Sequence, residues 1–256
     1  EDFYRIKRLP PYVFAEVNRL KADYRSKGVD IIDFGMGNPD MDTPHHIVEK
    51  LVETVRKSRT HRYSSSKGIN GLRKAQARYY KNRFDVALDP EREIIATLGS
   101  KEGLANLAMA ITAPGDVMLV PNPSYPIHPY GFMIAGGTLR HLPTLHDGKF
   151  KPEEYMQSLS RAVAHSVPKP VALVVSFPSN PTAQLCDIDF YKELISFAKK
   201  NNLWILSDLA YAEIYFDGNP PPSILQVNGA KEVAVEFTSL SKTFSMPGWR
   251  MGFAVG

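Results

Sequence analysis

From residue 92 onward, short apolar runs alternate with segments whose apolar residues recur every three or four positions. The runs at 93–98, 117–120, 138–142, 171–177, 203–206, 234–238 and 252–255 read as strands, being short and bounded by turn-forming residues. Between them, 102–111, 130–135 and 152–164 read as helices. Ile188, Tyr191, Leu194, Ile195 and Ala198 fall on one face of a further helix, for which Asp187 is a candidate cap. Strands and helices alternating at this spacing require crossover connections. They predict an α/β fold, a mostly parallel sheet with helices on both faces. Ligands of such sheets bind beyond the carboxyl ends of the strands, so the residues just after each strand are where chemistry is sought.

The first ninety residues read differently. A basic, aromatic opening at 4–12 leads into a helix at 13–25 and a strand at 30–34. The turn Gly35-Met36-Gly37-Asn38-Pro39-Asp40 follows, then helices near 45–58 and 71–83. The expected division is an N-terminal arm with part of a smaller domain over 1–40, and a large domain over 41–256. Neither a repeat at solenoid spacing nor a low-complexity tract interrupts it.

Composition narrows the class. With 43% hydrophobic and 23% charged residues the chain suits a globular protein with a substantial core. The net charge is +4, but the 31 Lys and Arg are scattered among 27 Asp and Glu, which gives a mildly basic surface and no reason to expect nucleic acid. Cys186 is the only cysteine, so no intrachain disulfide is possible and a reducing compartment, the cytoplasm, fits best. The longest apolar stretch, 171–177, is far too short to span a bilayer, and 1–10 lacks a signal-peptide core. Gly35-Met36-Gly37 is no dinucleotide loop, because Asn38-Pro39-Asp40 replaces the remaining glycine and helix start. His45 and His46 are adjacent, cannot share a helix face, and have no Cys or acidic partner, so no metal is expected.

Four strand ends carry polar groups suited to one ligand. Gly99-Ser100-Lys101-Glu102 opens a helix whose N–H groups and serine hydroxyl suit an anion such as phosphate; an N-cap role for Ser100 is the alternative. Pro178-Ser179-Asn180-Pro181-Thr182 is a turn. Ser207-Asp208-Leu209-Ala210-Tyr211 places a carboxylate at the end of a buried strand, where it meets a cation or several donors, or caps a helix. Most specific is Thr238-Ser239-Leu240-Ser241-Lys242, followed by Arg250. A lysine set between small hydroxyl residues just after a strand has no use for that setting as a surface charge, and the arginine adds a rigid cationic fork suited to phosphate.

Ser239-Leu240-Ser241-Lys242 with Arg250 resembles the lysine signature of the class I/II aminotransferases, fold-type I pyridoxal-phosphate enzymes. Matches run through Gly35–Asp40, Tyr63 to Arg73, Gly99–Leu104, Pro121–Pro126, Ser179–Thr182 and Ser207–Glu213, so the likeness covers nearly everything from Tyr4 to Gly256. The strings at 8–14, 99–104 and 123–128 look most like bacterial glutamate–pyruvate (alanine) aminotransferases.

The resemblance implies that 41–256 binds pyridoxal 5′-phosphate, with Lys242 as the Schiff-base lysine and proton carrier. It implies that Asp208 faces the ring nitrogen, that Tyr211 and Asn180 bond the ring oxygen, and that Tyr125 stacks on the ring. Ser100, Lys101, Ser239, Ser241 and Arg250 then hold the phosphate, joined by Tyr63 from a neighbouring subunit, which implies a homodimer. Gly37 and Asn180 meet the substrate, and Lys101 is also a candidate for a distal carboxylate or a plain surface charge. The activity implied is transfer of an amino group between alanine or glutamate and a 2-oxo acid. Aspartate aminotransferase, a lyase or decarboxylase using the same cofactor, and a non-catalytic regulatory domain are the alternatives. A C-terminal small-domain segment with a carboxylate-gripping arginine, usual in the family, is expected to be absent from this sequence.

Overall fold

The computed structural model describes residues 3–35 and 37–256. Met36, in the middle of the expected turn at 35–40, lies outside them, as do the first two residues of the expected arm. Seven strands form one sheet: β1 (Ile94–Thr97), β2 (Val117–Asn122), β3 (Thr138–Pro143), β4 (Pro170–Ser176), β5 (Trp204–Asp208), β6 (Ala234–Ser239) and β7 (Gly252–Val255). Their order is β1-β7-β6-β5-β4-β2-β3. Pairing is parallel from β3 through β2, β4 and β5 to β6, while β7 runs antiparallel between β6 and β1. The mostly parallel α/β sheet is as the sequence pattern predicts.

Among the described residues nine α-helices accompany it: α1 (Tyr4–Lys7), α2 (Val13–Ser26), α3 (His45–Val55), α4 (Asn70–Phe84), α5 (Ser100–Ile111), α6 (Ile127–Ala135), α7 (Pro152–Ala164), α8 (Ile188–Asn201) and α9 (Leu240–Thr243). The two-residue alternation of a strand supplies both faces of the sheet. Leu173 and Val175 of β4 join the core with Tyr155, Leu159, Tyr191 and Leu194 of α7 and α8, while Ala172 and Val174 meet Leu104, Ala108 and Phe132 of α5 and α6. Asp187 does cap α8, its carboxylate accepting the Phe190 N–H at 2.8 Å.

One predicted strand is missing. Residues 30–34 form no strand; Ile32 and Phe34 are 81% and 94% exposed. Alternation alone cannot hold a strand that finds no edge to pair with. Among the described residues, no position before Arg73 is buried.

The polar centre of the fold is Glu236 on β6, wholly buried. Tyr80 of α4 and Ser223 donate to one carboxylate oxygen at 2.8 and 2.6 Å; Ser207 of β5 and the Ile224 N–H donate to the other at 3.1 Å each. Burial raises the carboxyl above its ordinary value of 4.5, partly offset by these donors. Since the folded-state value is the higher one, the resulting stabilisation is complete below the unfolded value and fades as pH rises through the folded one. Glu236→Gln is expected to cost about 1–3 kcal/mol, because an amide N–H2 replaces one accepting oxygen. Denaturant unfolding at several pH values should show that deficit shrinking as pH rises above about 4.5; a deficit independent of pH contradicts the account.

Candidate active site

Because β1 runs in the same direction as β6, the carboxyl ends of β1, β2, β4, β5 and β6 emerge on one side, where β7 begins. Most of the residues singled out from sequence are gathered there.

Asp208 ends β5 and is buried. Its Oδ2 lies 2.9 Å from Nε2 of His128, itself fully buried in the first turn of α6, and its Oδ1 accepts the Ala210 N–H at 3.3 Å. No helix follows Asp208, so the cap alternative falls. His128 is a site residue that the sequence reading passed over: it stands three residues after Tyr125, and the rings of the two meet edge to face at 6.0 Å. The Nδ1 of His128 is buried with no protein partner. Lys101 places its ammonium 5.1 Å from the Tyr125 ring centre, a cation–π contact.

Across the ends of β4 and β5, the Asn180 side-chain amide donates to the Tyr211 hydroxyl at 3.0 Å. Burial raises the Tyr211 phenol, the Asn180 bond lowers it, and the charges of Asp208 and Tyr125 raise it further.

Lys242 sits in the single turn of α9, directly beyond β6, with Ser239 capping that turn through the Ser241 N–H at 3.2 Å. Ser239 and Ser241 are buried and Lys242 partly so. Its amine is depressed below the ordinary 10.5, first by burial and then by the positive charge of Arg250. Arg250 takes a left-handed backbone (φ 55°) and donates to the Pro247 carbonyl at 2.8 Å. That conformation points the guanidinium at Gly99, where an added Cβ would stand 2.5 Å from it.

Gly99, also left-handed (φ 86°), is the N-cap of α5, and Ser100 is the first helical residue rather than the cap. The first N–H groups of α5 have no carbonyl one turn back and so face the strand ends with their partial positive charge. Gly252 completes this corner: a Cβ there would meet Ser100 N at 2.6 Å, Gly99 C at 2.7 Å and Thr238 O at 2.7 Å. Only a bare backbone lets β7 pass that closely under the start of α5.

Two expected residues are not brought to this site. Tyr63 is fully exposed, and Gly37 is exposed in an irregular segment with nothing within 4 Å of a Cβ built on it.

A buried carboxylate paired to histidine, a lysine with a depressed amine and a glycine-lined helix start under an arginine are gathered at one end of the α/β sheet. The sequence profile described as "Aminotransferase class I and II" matches residues 29–256, and the chain belongs to that family. Among its relatives are AatC of Rhizobium meliloti, 64% identical over the whole chain and 62% of that protein, and the glutamate-pyruvate aminotransferase AlaC of Escherichia coli, 51% identical over 99% of this chain and 60% of that one. LL-diaminopimelate aminotransferase of Aquifex aeolicus is 47% identical over 98% and 64%. The substrate-bound structure of BacF from Bacillus subtilis superposes with a TM-score of 0.89 at 35% identity, covering 100% and 63%. The chain thus spans less than two thirds of each of these proteins. Family membership implies pyridoxal 5′-phosphate as the cofactor. The residues fit it: a ring nitrogen has a buried carboxylate to face, a phosphate has a helix start kept open by Gly99 and Gly252, and an aldehyde has an amine held below its ordinary basicity.

Gly252→Ala should destabilise by about 1–3 kcal/mol, since the Cβ meets backbone on three sides. Gly71→Ala in α4, where a Cβ meets nothing within 4 Å, should be neutral or stabilising by up to about 1 kcal/mol. Thermal unfolding of the two variants checks this; equal effects refute it.

Proposed function

We propose that the full-length protein is a pyridoxal-phosphate-dependent aminotransferase moving an amino group between alanine or glutamate and a 2-oxo acid. The observation that carries this reading is Lys242: a partly buried amine with depressed basicity, just beyond β6 and influenced by Arg250, on the same side of the sheet as buried Asp208.

When bound, the cofactor supplies a protonated pyridine ring that accepts the electron pair left at an amino acid α-carbon when its proton departs. The protein's residues do the rest. Asp208, oriented by His128, would present its carboxylate to the ring nitrogen and so favour the protonated ring. Asn180 and Tyr211 orient hydrogen bonds toward the ring oxygen, which favours its anionic form. Tyr125 would stack on the ring and limit its tilt. Ser100, Ser239, Ser241 and Arg250, with the backbone N–H of Lys101, would hold the phosphate through the α5 N–H groups, hydroxyls and guanidinium. Lys242 Nζ would hold the cofactor aldehyde and, as a free amine, would take the proton from the substrate α-carbon; a depressed amine is neutral for a larger fraction of molecules near neutral pH.

Exposed Tyr63 fits a role at the phosphate of a second subunit, which makes the active unit a homodimer with shared sites. Gly37 contributes backbone to the substrate carboxylate. The single cysteine, half-buried Cys186, and the absence among the described helices of any long and apolar enough to cross a membrane agree with a cytoplasmic enzyme. The choice of alanine and glutamate rests on the strings at 8–14, 99–104 and 123–128 and on the likeness to AlaC.

Full-length protein saturated with cofactor should convert to the pyridoxamine form on adding alanine or glutamate, seen in its visible spectrum. Borohydride reduction beforehand should fix the label on Lys242 in peptide maps, and Lys242→Ala should lower turnover by roughly 10²-fold or more. Cofactor-saturated protein that no amino acid converts defeats the proposal.

Lys101 gives a sharper substrate test. Lys101→Ala should raise KM for glutamate several-fold while leaving that for alanine within about twofold, as expected for the loss of a half-buried charge contact. Parallel increases for both substrates assign Lys101 to the phosphate instead.

A further inference from the structure

Tyr211 is carried by residues 209–223, a connection from β5 that contains only turns. Inside it, the Ile214 N–H donates to the Tyr211 carbonyl at 3.1 Å and the Ala212 N–H to Leu209 at 3.4 Å. Those local bonds shape the turn without fixing where it sits on the sheet.

Its start is held to β6, where the Leu209 N–H donates to the Phe237 carbonyl at 2.9 Å; beyond that point the hydrogen-bonded anchoring comes from α4. Tyr79 and Arg83, four residues apart and so on one helix face, both reach the connection. Arg83 Nε donates to Glu213 Oε1 at 3.1 Å, and its Nη2 donates to the Ala212 carbonyl at 3.2 Å and the Pro221 carbonyl at 3.4 Å. The Tyr79 hydroxyl donates to the same Glu213 oxygen. The guanidinium lies 4.6 Å from the Phe84 ring centre and 5.7 Å from that of Tyr215. With about a fifth of each side chain exposed, Arg83 and Glu213 form more than a surface pair, and a planar fork binding one carboxylate and two carbonyls is a geometry lysine does not reproduce.

Both ends of the connection are therefore tied to one rigid helix through one guanidinium, and the nearer tie lands on the residue next to Tyr211. None of these bonds ends on Asn180, Asp208, Lys242 or Arg250. Their route to the chemistry is the connection itself, whose Tyr211 meets Asn180 and whose Ala210 N–H meets Asp208.

We propose that Arg83, with Tyr79 and Glu213, is the positioning device that sets the Tyr211 hydroxyl against Asn180 and thereby against the ring oxygen of the bound cofactor. This rests on the aminotransferase reading above. Arg83 is a positioning residue, since it touches neither cofactor nor substrate.

The test is a pH titration of the visible cofactor band in full-length, cofactor-loaded protein, for wild type, Tyr211→Phe, Arg83→Met and the double variant. Losing the Tyr211 bond to the anionic ring oxygen should raise the titration midpoint by about one pH unit, the worth of a hydrogen bond to a charged group. Arg83→Met should raise it in the same direction by about half a unit, because the hydroxyl remains but is displaced. In the double variant, the midpoint should match that of Tyr211→Phe within about 0.2 units, since Arg83 has nothing left to position.

An Arg83→Met protein with a lowered melting temperature and an unmoved midpoint overturns the proposal, as does a double-variant shift equal to the sum of the two single shifts. Should Arg83→Met fail to fold, Tyr79→Phe removes one hydroxyl from the same cluster. It should give a smaller shift of the same sign that vanishes in the Tyr211→Phe background; no shift overturns the proposal equally. Wild-type protein showing neither the band nor a borohydride label on Lys242 sinks the cofactor reading itself. A normal wild type with unmoved variants sinks the clamp alone.

Discussion

A single buried carboxylate decides how the parts of this molecule are registered against one another. Glu236 accepts four hydrogen bonds, from a helix, from the neighbouring strand and from the short turn at Ile224–Gln226. An ionised or acidic group with no access to water is tolerable only when its lone pairs are met, and each donor brought to it is equally committed. Hence β5, β6 and α4 cannot slide relative to one another without leaving several buried polar atoms unpaired. The strands that slide least are the two whose ends carry Asp208 and Lys242.

The corner where β7 enters shows the same economy of space. Arg250 in a left-handed conformation, Gly99 in another, and Gly252 against three backbone atoms bring a guanidinium, a helix start and two strands within contact of each other. Positive charge is concentrated there by the helix end and by Arg250, and Lys242 is depressed first by burial and then by the charge of Arg250. The arrangement that favours an anion at the helix start therefore also makes the neighbouring amine a better nucleophile. An anion seated on Arg250 offsets the charge contribution and leaves the burial contribution in place.

Strand-end chemistry was legible in sequence because it is local. Lys242, Asp208 and Asn180 each directly follow a strand that announces itself by apolar runs, and the sheet then brings those ends together without further instruction. What could not be read depends on partners far away in the chain. His128 is an unremarkable helical residue until Asp208, 80 positions later, meets it. Arg83 reads as one of several charges ending a helix, and its partners lie some 130 positions on. The strand expected at 30–34 fails for the converse reason: its alternation is real, but it pairs with no strand of the sheet. Tyr63 and Gly37 stand apart from the gathered site, and their expected roles involve a second subunit and the substrate, neither of which a single chain contains.

Helix α4 ties these observations together. Its buried residues are Arg73, Gln76, Tyr80 and Phe84, a face at helical spacing that is largely polar and so gives a weak apolar signal in sequence. Arg73 donates to the carbonyls of Gly68 and Pro90, Gln76 to Thr238 at 3.2 Å, Tyr80 to Glu236, and the neighbouring Tyr79 and Arg83 to the connection bearing Tyr211. An apolar helix face, such as that of α8, can shift by a fraction of a turn and still bury much the same area, because hydrophobic attraction has no direction. A face made of hydrogen-bonding groups cannot, since each bond weakens steeply with distance and angle and an orphaned group is costly. The polar face thus gives up some hydrophobic stabilisation and gains a single register. That register is what the site needs, because α4 holds β6 through Thr238 and Glu236, four and six residues before the lysine, and holds the loop of Tyr211 through Arg83.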